Sequence, residues 1–348
     1  MTQSNSHPTL SQVAQKAGVG TTTVSRVING GDRVSPKTLA RVRRVIETLG
    51  YMPNEAARIL KGQSTKTIGL VVPSIADPFF SSCAEAAQAI VRANGSLLIV
   101  TVTANDPRTE IENLNLLMRH RVDGLIIVPA NSQSPVLRDL LDRIAMPVVA
   151  IDRPVANASI ASVVADNVKG AMTATQHLID HGRKRIVCLT GESTLYTIRE
   201  RMKGYRKAVE AAHLPCILDT SVKDYKSAEY AIKSLLDGPN PPDAIFALKN
   251  SATIHAFEVL QRLGIPVPQS IALIGFDDFD LASTVRPSIT VIQQPIEEIG
   301  RRAAEILFEQ LFEQRKPGPS SPSKRPRQIR LHTRLIQRSS CGCIPPVS

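Results

Sequence analysis

From residue 67 onward, short and almost wholly apolar segments alternate with longer amphipathic ones, and this alternation constrains the fold more than any other feature. Branched apolar runs such as TIGLVVP and GLIIVP are typical of parallel strands that are covered on both faces. Longer segments with helical periodicity separate these runs. The alternation begins again near Val168, so the sequence predicts two doubly wound α/β units with parallel sheets, in tandem.

The predicted elements also indicate where a ligand would bind. The strands are TIGLVVP, SLLIVTV, GLIIVP, MPVVAID, KRIVCLTG, DAIFAL and SIALIGFDD. The helices are Phe79–Asn94, Pro107–Arg121, Ser134–Ala145, Tyr196–His213, Ser227–Leu236 and Ser251–Leu263. Because open parallel sheets bind ligands at the carboxyl ends of their strands, a crevice is expected at the segments Ser74–Phe80, Asp152–Arg153, Gly191–Arg201, Leu248–Asn250 and Asp277–Asp278.

Ahead of this core, residues 9–29 predict two short helices joined by a tight turn. Thr9 and Gln12 have the spacing of a capping box, and Gly18 suits the left-handed end of the first helix. The residues expected to face inward are Val13, Ala14, Val19, Val24, Val27 and Ile28. The second helix, Thr21–Asn29, directs Thr21, Thr22, Ser25 and Arg26 outward. Hydroxyls and a guanidinium on a short helix suit the DNA major groove; the alternative is an ordinary helical hairpin with a hydrated face.

A third helix and a short hinge follow. Ser35 caps the helix, Pro36 occupies its first position and Gly50 ends it. The predicted buried stripe is Leu39, Val42, Val45, Ile46 and Leu49, and the arginines that lie off it, within reach of phosphates, are Arg41, Arg43 and Arg44. Asn54 can cap a helix over Glu55–Lys61, but so short a helix is mostly unfolded alone, which makes this segment a linker when DNA is absent.

The net charge of +11 is unevenly distributed. Residues 1–66 carry ten basic and three acidic side chains, residues 314–348 carry eight basic and none acidic, and residues 67–313 have a net charge of −4. A basic head on a slightly acidic body predicts that the head binds a polyanion. The proline-rich segment PGPSSPSKRPR is consistent with a solvated connection whose charge serves solubility.

Composition and cysteine usage indicate a cytoplasmic, nucleoid-associated protein without a metal. Hydrophobic residues make up 43% of the chain, no run is long enough to cross a bilayer, and the polar start lacks the features of a secretory signal. Cys83, Cys188 and Cys216 are predicted core residues. Because Cys341 and Cys343 are too close for a two-residue zinc knuckle, reduced thiols and no metal or other cofactor are expected.

The motifs of enzymes on this fold are missing. No G-x-G-x-x-G follows the first strand, and neither G-x-x-x-x-G-K-[ST] nor G-x-S-x-G occurs. The histidines do not form pairs that stand, together with a glutamate, at the spacing of a metal-binding motif; they are His120, His177, His181, His213 and His255. No catalytic residue is therefore predicted. A transport solute-binding protein would share the core but would need a signal peptide and would have no use for residues 9–61.

Four landmarks, in order, show that residues 9–340 resemble the lactose/purine repressor family of bacterial transcription regulators. They are AQKAGVGTTTVSRVIN at Ala14–Asn29, Tyr51-x-Pro53-Asn54 before Ala57-Arg58-x-Leu60, IGFDD at Ile274–Asp278, and HTRLIQRSS at His332–Ser340. The first is very specific. The resemblance implies a helix-turn-helix head joined by a DNA-induced hinge helix to a dimerising core like a periplasmic sugar-binding protein.

On this resemblance the chain divides into a head at 1–50, a hinge and linker at 51–66, an effector-binding and dimerisation core at 67–340 and a tail at 341–348. The first lobe of the core is expected to contain residues 67–166 and 295–325, and the second lobe residues 167–294 and 326–340. The function implied is that of a repressor that binds a near-palindromic DNA operator as a homodimer and is controlled by a sugar-like effector.

The resemblance also assigns roles to single residues. Thr22 and Arg26 match positions that read base edges, Thr21 helps to anchor the helix at phosphate, and Ser25 lies on the same face. Leu60 matches a leucine that wedges between base pairs from the minor groove, with Ala57 packed beside it and Lys61 against the same groove. The positions matched to the effector crevice are Asp77, Pro78, Phe79, Phe80, Asp152, Arg201 and Asp277, and Thr197 and Arg199 are further candidate contacts. For the neighbouring acidic residues the alternatives are structural, since Asp77 can start a helix and Asp278 can cap a turn.

Two departures from the family pattern bear on mechanism. Gly20 stands where a serine usually caps the recognition helix, a change that costs a few tenths of a kcal/mol. Lys249 stands where many relatives carry an asparagine that hydrogen-bonds a neutral sugar. A lysine buried beside Arg201 would favour an acidic effector such as an aldonic acid, a keto-aldonic acid or a sugar phosphate. The alternative is a lysine whose ammonium reaches solvent at the crevice rim.

Overall fold

The computed structural model describes residues 8–28, 30, 33–52, 64–191, 193–314 and 328–343, which form two compact units divided between Thr65 and Lys66. The first unit is a three-helix head, with α1 at Leu10–Ala17, α2 at Thr21–Ile28 and α3 at Pro36–Leu49. The capping box of α1 is confirmed: the Gln12 amide donates to Thr9 Oγ1 at 3.3 Å and the Thr9 amide donates to Gln12 Oε1 at 2.7 Å. Gly18 and Gly50 end their helices with φ of 63° and 60°.

The head has a small core of valine and alanine. Its buried residues are Val13, Ala14, Ala17, Val24, Val27 and Val42. Half-buried apolar residues surround them, including Val19, Ile28, Leu39, Val45, Ile46 and Leu49. This is the predicted inward face. So small a core leaves the head with little stability of its own.

The first lobe of the second unit is a six-stranded sheet covered on both faces. Its strands are β1 at Thr67–Val72, β2 at Leu97–Val102, β3 at Gly124–Ile127, β4 at Val148–Ile151, β5 at Ala161–Ala165 and β11 at Gln328–Leu331. They are parallel in the order β2-β1-β3-β4-β5-β11. The helices of this lobe are α4 at Pro78–Ala93, α5 at Pro107–Arg119, α6 at Pro135–Leu141 and α11 at Ile296–Gln314. One apolar cluster joins α4 and α11 to the sheet, and another joins α5 and α6 to it.

The second lobe repeats this winding. Its strands are β6 at Ile186–Leu189, β7 at Ile217–Asp219, β8 at Ala244–Ala247, β9 at Ala272–Phe276, β10 at Thr290–Gln293 and β12 at Arg334–Ile336. The order is β7-β6-β8-β9-β10-β12, and only β12 pairs antiparallel. The helices are α7 at Asn167–Asp180, α8 at Tyr196–Ala211, α9 at Tyr225–Leu236 and α10 at Asn250–Arg262. In both sheets the strand order reverses beside the first strand, which is where such sheets bind ligands.

Three expectations need correction. Residues 326–340 were assigned to the second lobe, but Gln328–Leu331 pairs with β5 in the first sheet, so the chain crosses between the lobes once more before β12. Cys216 is exposed rather than part of the core, because it precedes an edge strand. Cys341, placed at the start of a tail, is fully buried. Across the described residues, none of the helices combines the length and apolarity that a bilayer span requires.

Candidate DNA interface and effector crevice

The second helix of the head presents polar side chains on the side away from its buried valines. Thr21, Thr22 and Arg26 are exposed, and Ser25 is half-buried. Val24 and Val27 are buried on the opposite side and hold α2 against α1 and α3. The predicted outward face of α2 is therefore present, with two hydroxyls and a guanidinium available to a groove.

The third helix adds positive charge to the head. Arg41, Arg43 and Arg44 are exposed on α3, off its apolar stripe. The residues of the expected hinge helix that were assigned to the minor groove, Ala57, Leu60 and Lys61, lie outside the described residues.

In the second unit, the candidate crevice is built around a buried ion pair. Arg201, only 3% exposed, donates from Nη1 to Asp277 Oδ2 at 3.2 Å and to the Leu248 carbonyl at 2.7 Å. Its Nε donates to Asn167 Oδ1 at 2.8 Å, and its guanidinium lies 3.7 Å from the centre of the Phe276 ring. These contacts come from separate elements and hold the guanidinium in one orientation.

A second buried ion pair follows β4 in the first lobe. Arg153 Nε donates to Asp152 Oδ2 at 3.1 Å, and Arg153 Nη1 donates to Asn105 Oδ1 at 2.8 Å and to the Pro129 carbonyl at 3.0 Å. Asp152 and Asp277 both adopt positive φ, 65° and 76°, at the carboxyl ends of their strands. Strained backbone of this kind is concentrated at binding sites.

Electrostatic interactions connect the two ion pairs and two further residues. Burial raises the pKa of Asp152, and the charge of Asp277 raises it further, while Arg153 and Arg201 oppose both effects. Burial also raises the pKa of Asp77, against a backbone hydrogen bond from Phe79 and the charge of Lys249. Acidic and basic groups from both lobes therefore face one crevice, as the rule of the strand ends predicted.

The remaining predicted residues lie at the edges of this site. Phe79 and Phe80 are each 7% exposed and pack edge to face, with ring centres 5.0 Å apart, in the core of the first lobe. Asp77 caps α4 by accepting from the Phe79 amide at 3.1 Å, so its structural alternative is confirmed. Thr197 is buried and Arg199 is half-buried, both on α8.

Asp278 and Lys249 differ from their sequence-based descriptions. Asp278 forms a two-pronged ion pair with Arg338, with both distances 2.9 Å, so it does more than cap a turn. Lys249 is half-buried rather than buried, because it stands at the start of α10. It lines a small cavity of about 190 Å³ together with Lys223.

A larger cavity of about 650 Å³ opens between loops of the two lobes. It is lined by polar residues and by two cations, Arg153 and Arg199, and none of the described lining residues is acidic. The other lining residues include Asn105, Asn131, Ser132, Gln133, Thr194 and Tyr196.

Sequence reasoning missed several side chains that shape the crevice. Asn167 binds Arg201, and the side-chain amide of Gln294 donates to Asp277 Oδ1. Asn167 follows β5 and Gln294 follows β10, two strands that the apolar pattern did not reveal. Had those strands been assigned, the rule of the carboxyl ends would have selected both residues. Arg153 lies in the segment Asp152–Arg153 that the strand-end rule indicates, but the sequence pattern alone does not assign it a role.

Two family models match the chain. The one described as bacterial regulatory proteins, lacI family, matches residues 9–54. The one described as periplasmic binding proteins and sugar binding domain of the LacI family matches residues 65–339. Together they span the helix-turn-helix head and both lobes.

Curated relatives and solved structures are similar over nearly the whole length. The transcriptional regulator CelR of Thermobifida fusca is 34% identical, covering 96% of this chain and 98% of its own. The ribose operon repressor of Escherichia coli K12 is 32% identical, covering 95% and 99%. A CelR–cellobiose complex superposes with a TM-score of 0.68 at 31% identity, covering 96% of this chain and 99% of its own. The lac repressor dimer bound to operator and an anti-inducer superposes with a TM-score of 0.84 at 24% identity, covering 97% and 99%, which supports the fold.

These matches agree with the geometry of both units. The relatives are transcription regulators and not enzymes. The chain belongs to the lacI family of bacterial regulatory proteins, as a DNA-binding transcription regulator whose helix-turn-helix head precedes two α/β lobes of the periplasmic-binding-protein type.

Proposed function

We propose that this regulator is a repressor that acts in the cytoplasm and binds a near-palindromic operator as a homodimer. The observation that carries this proposal is the exposed face of α2, where Thr21, Thr22 and Arg26 stand over buried Val24 and Val27. Thr22 and Arg26 read base edges and Thr21 contacts phosphate. A C2 dimer presents two such helices, which requires a site with matching dyad symmetry.

The hinge segment completes the interface in this proposal. Leu60 enters the minor groove between base pairs, with Ala57 packed beside it and Lys61 along the groove. Unstacking costs a few kcal/mol, which is offset by contacts that the bent DNA allows.

Sequencing of genomic fragments bound by the purified full chain tests the proposal. The enriched fragments should share one near-palindrome, and binding should weaken steeply with salt because phosphate contacts release counterions. A variant with both Thr22→Ala and Arg26→Ala serves as the control and should lose the enrichment. Equal recovery of all duplexes by the unaltered chain at moderate salt would refute the proposal.

We further infer that the effector is an acidic sugar, of the aldonic, keto-aldonic or sugar-phosphate class, bound between the lobes. Asp152 and Asp277 accept hydrogen bonds from hydroxyls, and Arg201 donates to the ligand. Phe79, Phe80, Thr197 and Arg199 complete the binding surface. The preference for an acid rests on Lys249, whose position beside a small cavity adds a cation to a crevice already lined by Arg153 and Arg199.

Calorimetric titration of the full chain with gluconate-type acids and matched neutral sugars tests this preference. The acids should bind, and Lys249→Asn should weaken them by about tenfold or more, as expected for loss of one partly desolvated ion pair. Lys226→Asn, on the exposed side of α9, is the matched control and should leave binding unchanged. Binding of neutral sugars alone, or equal acid affinity in Lys249→Asn, would overturn the preference.

The sign of regulation follows from titrating operator affinity with the bound acid. An inducer lowers operator affinity, and the operator then lowers effector affinity by the same factor. A corepressor raises both.

A further inference from the structure

Two histidines and two cysteines converge on the second lobe, away from the crevice. His177 and His181 lie near the end of α7, and Cys341 and Cys343 lie after β12. One ligand atom from each residue falls within 4.8 Å of all the others. At the start of the same helix Asn167 contacts Arg201. With a rise of about 1.5 Å per residue, His177 lies about 15 Å further along the helix.

Three nitrogen–sulfur separations match those of donor atoms around a tetrahedral zinc ion. His177 Nε2 lies 3.3 Å from Cys341 Sγ and 3.4 Å from Cys343 Sγ, and His181 Nε2 lies 3.3 Å from Cys343 Sγ. Zn–S bonds of about 2.3 Å and Zn–N bonds of about 2.0–2.1 Å at tetrahedral angles place nitrogen and sulfur about 3.5 Å apart. The donor set, two thiolates and two imidazoles, is one that favours zinc.

The backbone on both sides is shaped to bring the donors together. His177 in the last turn of α7 and His181, which caps the helix, are four residues apart and so lie on one side of its end. Between the cysteines, Gly342 has φ of 106°, a conformation that other residues rarely adopt, and it allows both thiols to turn toward α7. The segment before them is anchored, since Ser340 Oγ donates to the Leu273 carbonyl at 2.6 Å.

The orientation of His181 is fixed as it is in metal sites. Its Nδ1 lies 2.8 Å from the His177 carbonyl, so Nδ1 carries the proton and donates. The Nε2 lone pair is then directed toward Cys343. Metal-binding histidines usually donate their second nitrogen to a carbonyl or carboxylate in this way.

Two simpler explanations fit less well. Hydrogen bonds between thiols and imidazoles would account for each contact in turn, but His177 Nε2 is within reach of both sulfurs and all four ligand atoms lie within 4.8 Å of one another. A Cys341–Cys343 disulfide would leave the histidines with no reason to converge.

We propose that His177, His181, Cys341 and Cys343 bind a Zn²⁺ ion that fastens the end of the chain to α7. The sequence-based expectation of no metal considered the cysteines and the histidines separately, and the fold brings two of each together. Four protein ligands fill the tetrahedron, which is typical of a structural site. Cys341 is buried while His181 is exposed, so an ion can enter from solvent.

The test uses the full chain, freed of any histidine tag and purified without added metal. About one zinc per chain is expected from elemental analysis. After removal of zinc, Co²⁺ titration should give the visible bands of tetrahedral cobalt and a thiolate charge-transfer band. Chelation should lower the Tm of the untreated protein.

Two serine variants separate the site from other thiols. Cys343→Ser should bind Co²⁺ more weakly, with a thiolate band reduced to the contribution of Cys341, and should lose most of the effect of the chelator on Tm. Cys216→Ser, which removes an exposed cysteine outside the cluster, should behave like the unaltered chain. If Cys343→Ser fails to fold, the cobalt spectrum of the unaltered chain still decides the matter.

Three results would overturn the proposal. They are no uptake of Zn²⁺ or Co²⁺ by the unaltered chain at micromolar concentration, equal metal content in a folded Cys343→Ser, or a Cys341–Cys343 disulfide in freshly purified protein.

Discussion

The head and the crevice place their candidate functional residues in opposite environments. On the head, Thr22 and Arg26 are exposed above a core made only of apolar residues, and none of the described head residues is both polar and buried. In the crevice, Arg201, Asp152 and Asp277 are all buried at 9% exposure or less. The candidate DNA-binding side chains are therefore separable from the folded core of the head, whereas the candidate effector-binding groups are also part of the buried structure of the lobes.

The difference follows from the cost of removing charge from water. An exposed guanidinium keeps its hydration until DNA arrives. A buried one loses it on folding, and only well-oriented partners offset that loss. Arg201 has such partners in Asp277, Asn167 and the Leu248 carbonyl, so removing it would leave several polar groups unsatisfied at once.

The largest effect is expected from Arg201→Met. Breaking a buried ion pair by removing one partner costs about 3–5 kcal/mol of unfolding free energy. The control is Arg262→Met, which removes an exposed pair with Glu258 and should cost about 1 kcal/mol or less. Urea denaturation of the full chain measures both. Equal losses in the two variants would show that the crevice pair contributes no more to the free energy of unfolding than a surface pair does.

A buried carboxylate on α5, Glu110, is expected to make the stability of the second unit depend on pH. It is 1% exposed and accepts from the Ala130 amide at 2.8 Å through Oε1, while no partner for its Oε2 is found among the described residues. Burial raises its pKa to about 7 from 4.5. The native state then binds more protons than the unfolded chain between these values, so stability falls as pH rises from about 5 to about 7.

Glu110→Gln should remove this dependence. Relative to the variant, the unaltered chain should lose about 3 kcal/mol of unfolding free energy between pH 5 and pH 8. The control, Glu309→Gln, changes an exposed carboxylate and should leave the pH profile unchanged. The measurement is the unfolding free energy of each protein as a function of pH. Parallel curves for Glu110→Gln and the unaltered chain would contradict the prediction.

In the head, Arg26→Ala should change recognition without changing stability. Loss of a base contact is expected to cost about 1–3 kcal/mol of discrimination for the operator. Arg43→Ala, on α3, should instead weaken operator and random DNA alike and lower the salt slope by about one. Competition binding at several salt concentrations separates the two. A lower Tm in Arg26→Ala would show that this side chain helps to hold the head together.

Most of the central strands and the helix ends could be predicted from sequence because their causes are local. Every residue of β3 and β4 is buried, which requires the unbroken apolar runs that were recognised. The edge strands β7 and β11 are only partly buried, so their sequences, ILD and QIRL, carry no such pattern. The missed crevice residue Asn167 follows β5, which the pattern also failed to reveal.

Contacts between distant residues could not be predicted in the same way. The helical spacing of His177 and His181 is visible in the sequence, but 164 residues separate His177 from Cys341. Their approach depends on β12 returning antiparallel to β10, which no local pattern specifies. The sequence thus supplies the capping, the periodicity and the strand ends, and the topology decides which of them meet.

The smallest predicted effect concerns the helix cap in the head. Gly20 has ordinary φ, and a Cβ built on it meets only Thr22 Oγ1, at 3.6 Å, an ordinary contact. In Gly20→Ser the hydroxyl can accept from an amide in the first turn of α2, which should stabilise the head by a few tenths of a kcal/mol. Gly18→Ser places the same side chain at φ of 63° and should destabilise the head by about 1 kcal/mol. Native-state amide exchange at Val24 and Val27 in the full chain measures the change in stability of the head in both variants. The two variants add the same atoms two residues apart, so stability changes of opposite sign would identify the backbone conformation as the cause. Stability changes of the same sign in both variants would refute this explanation of the cap.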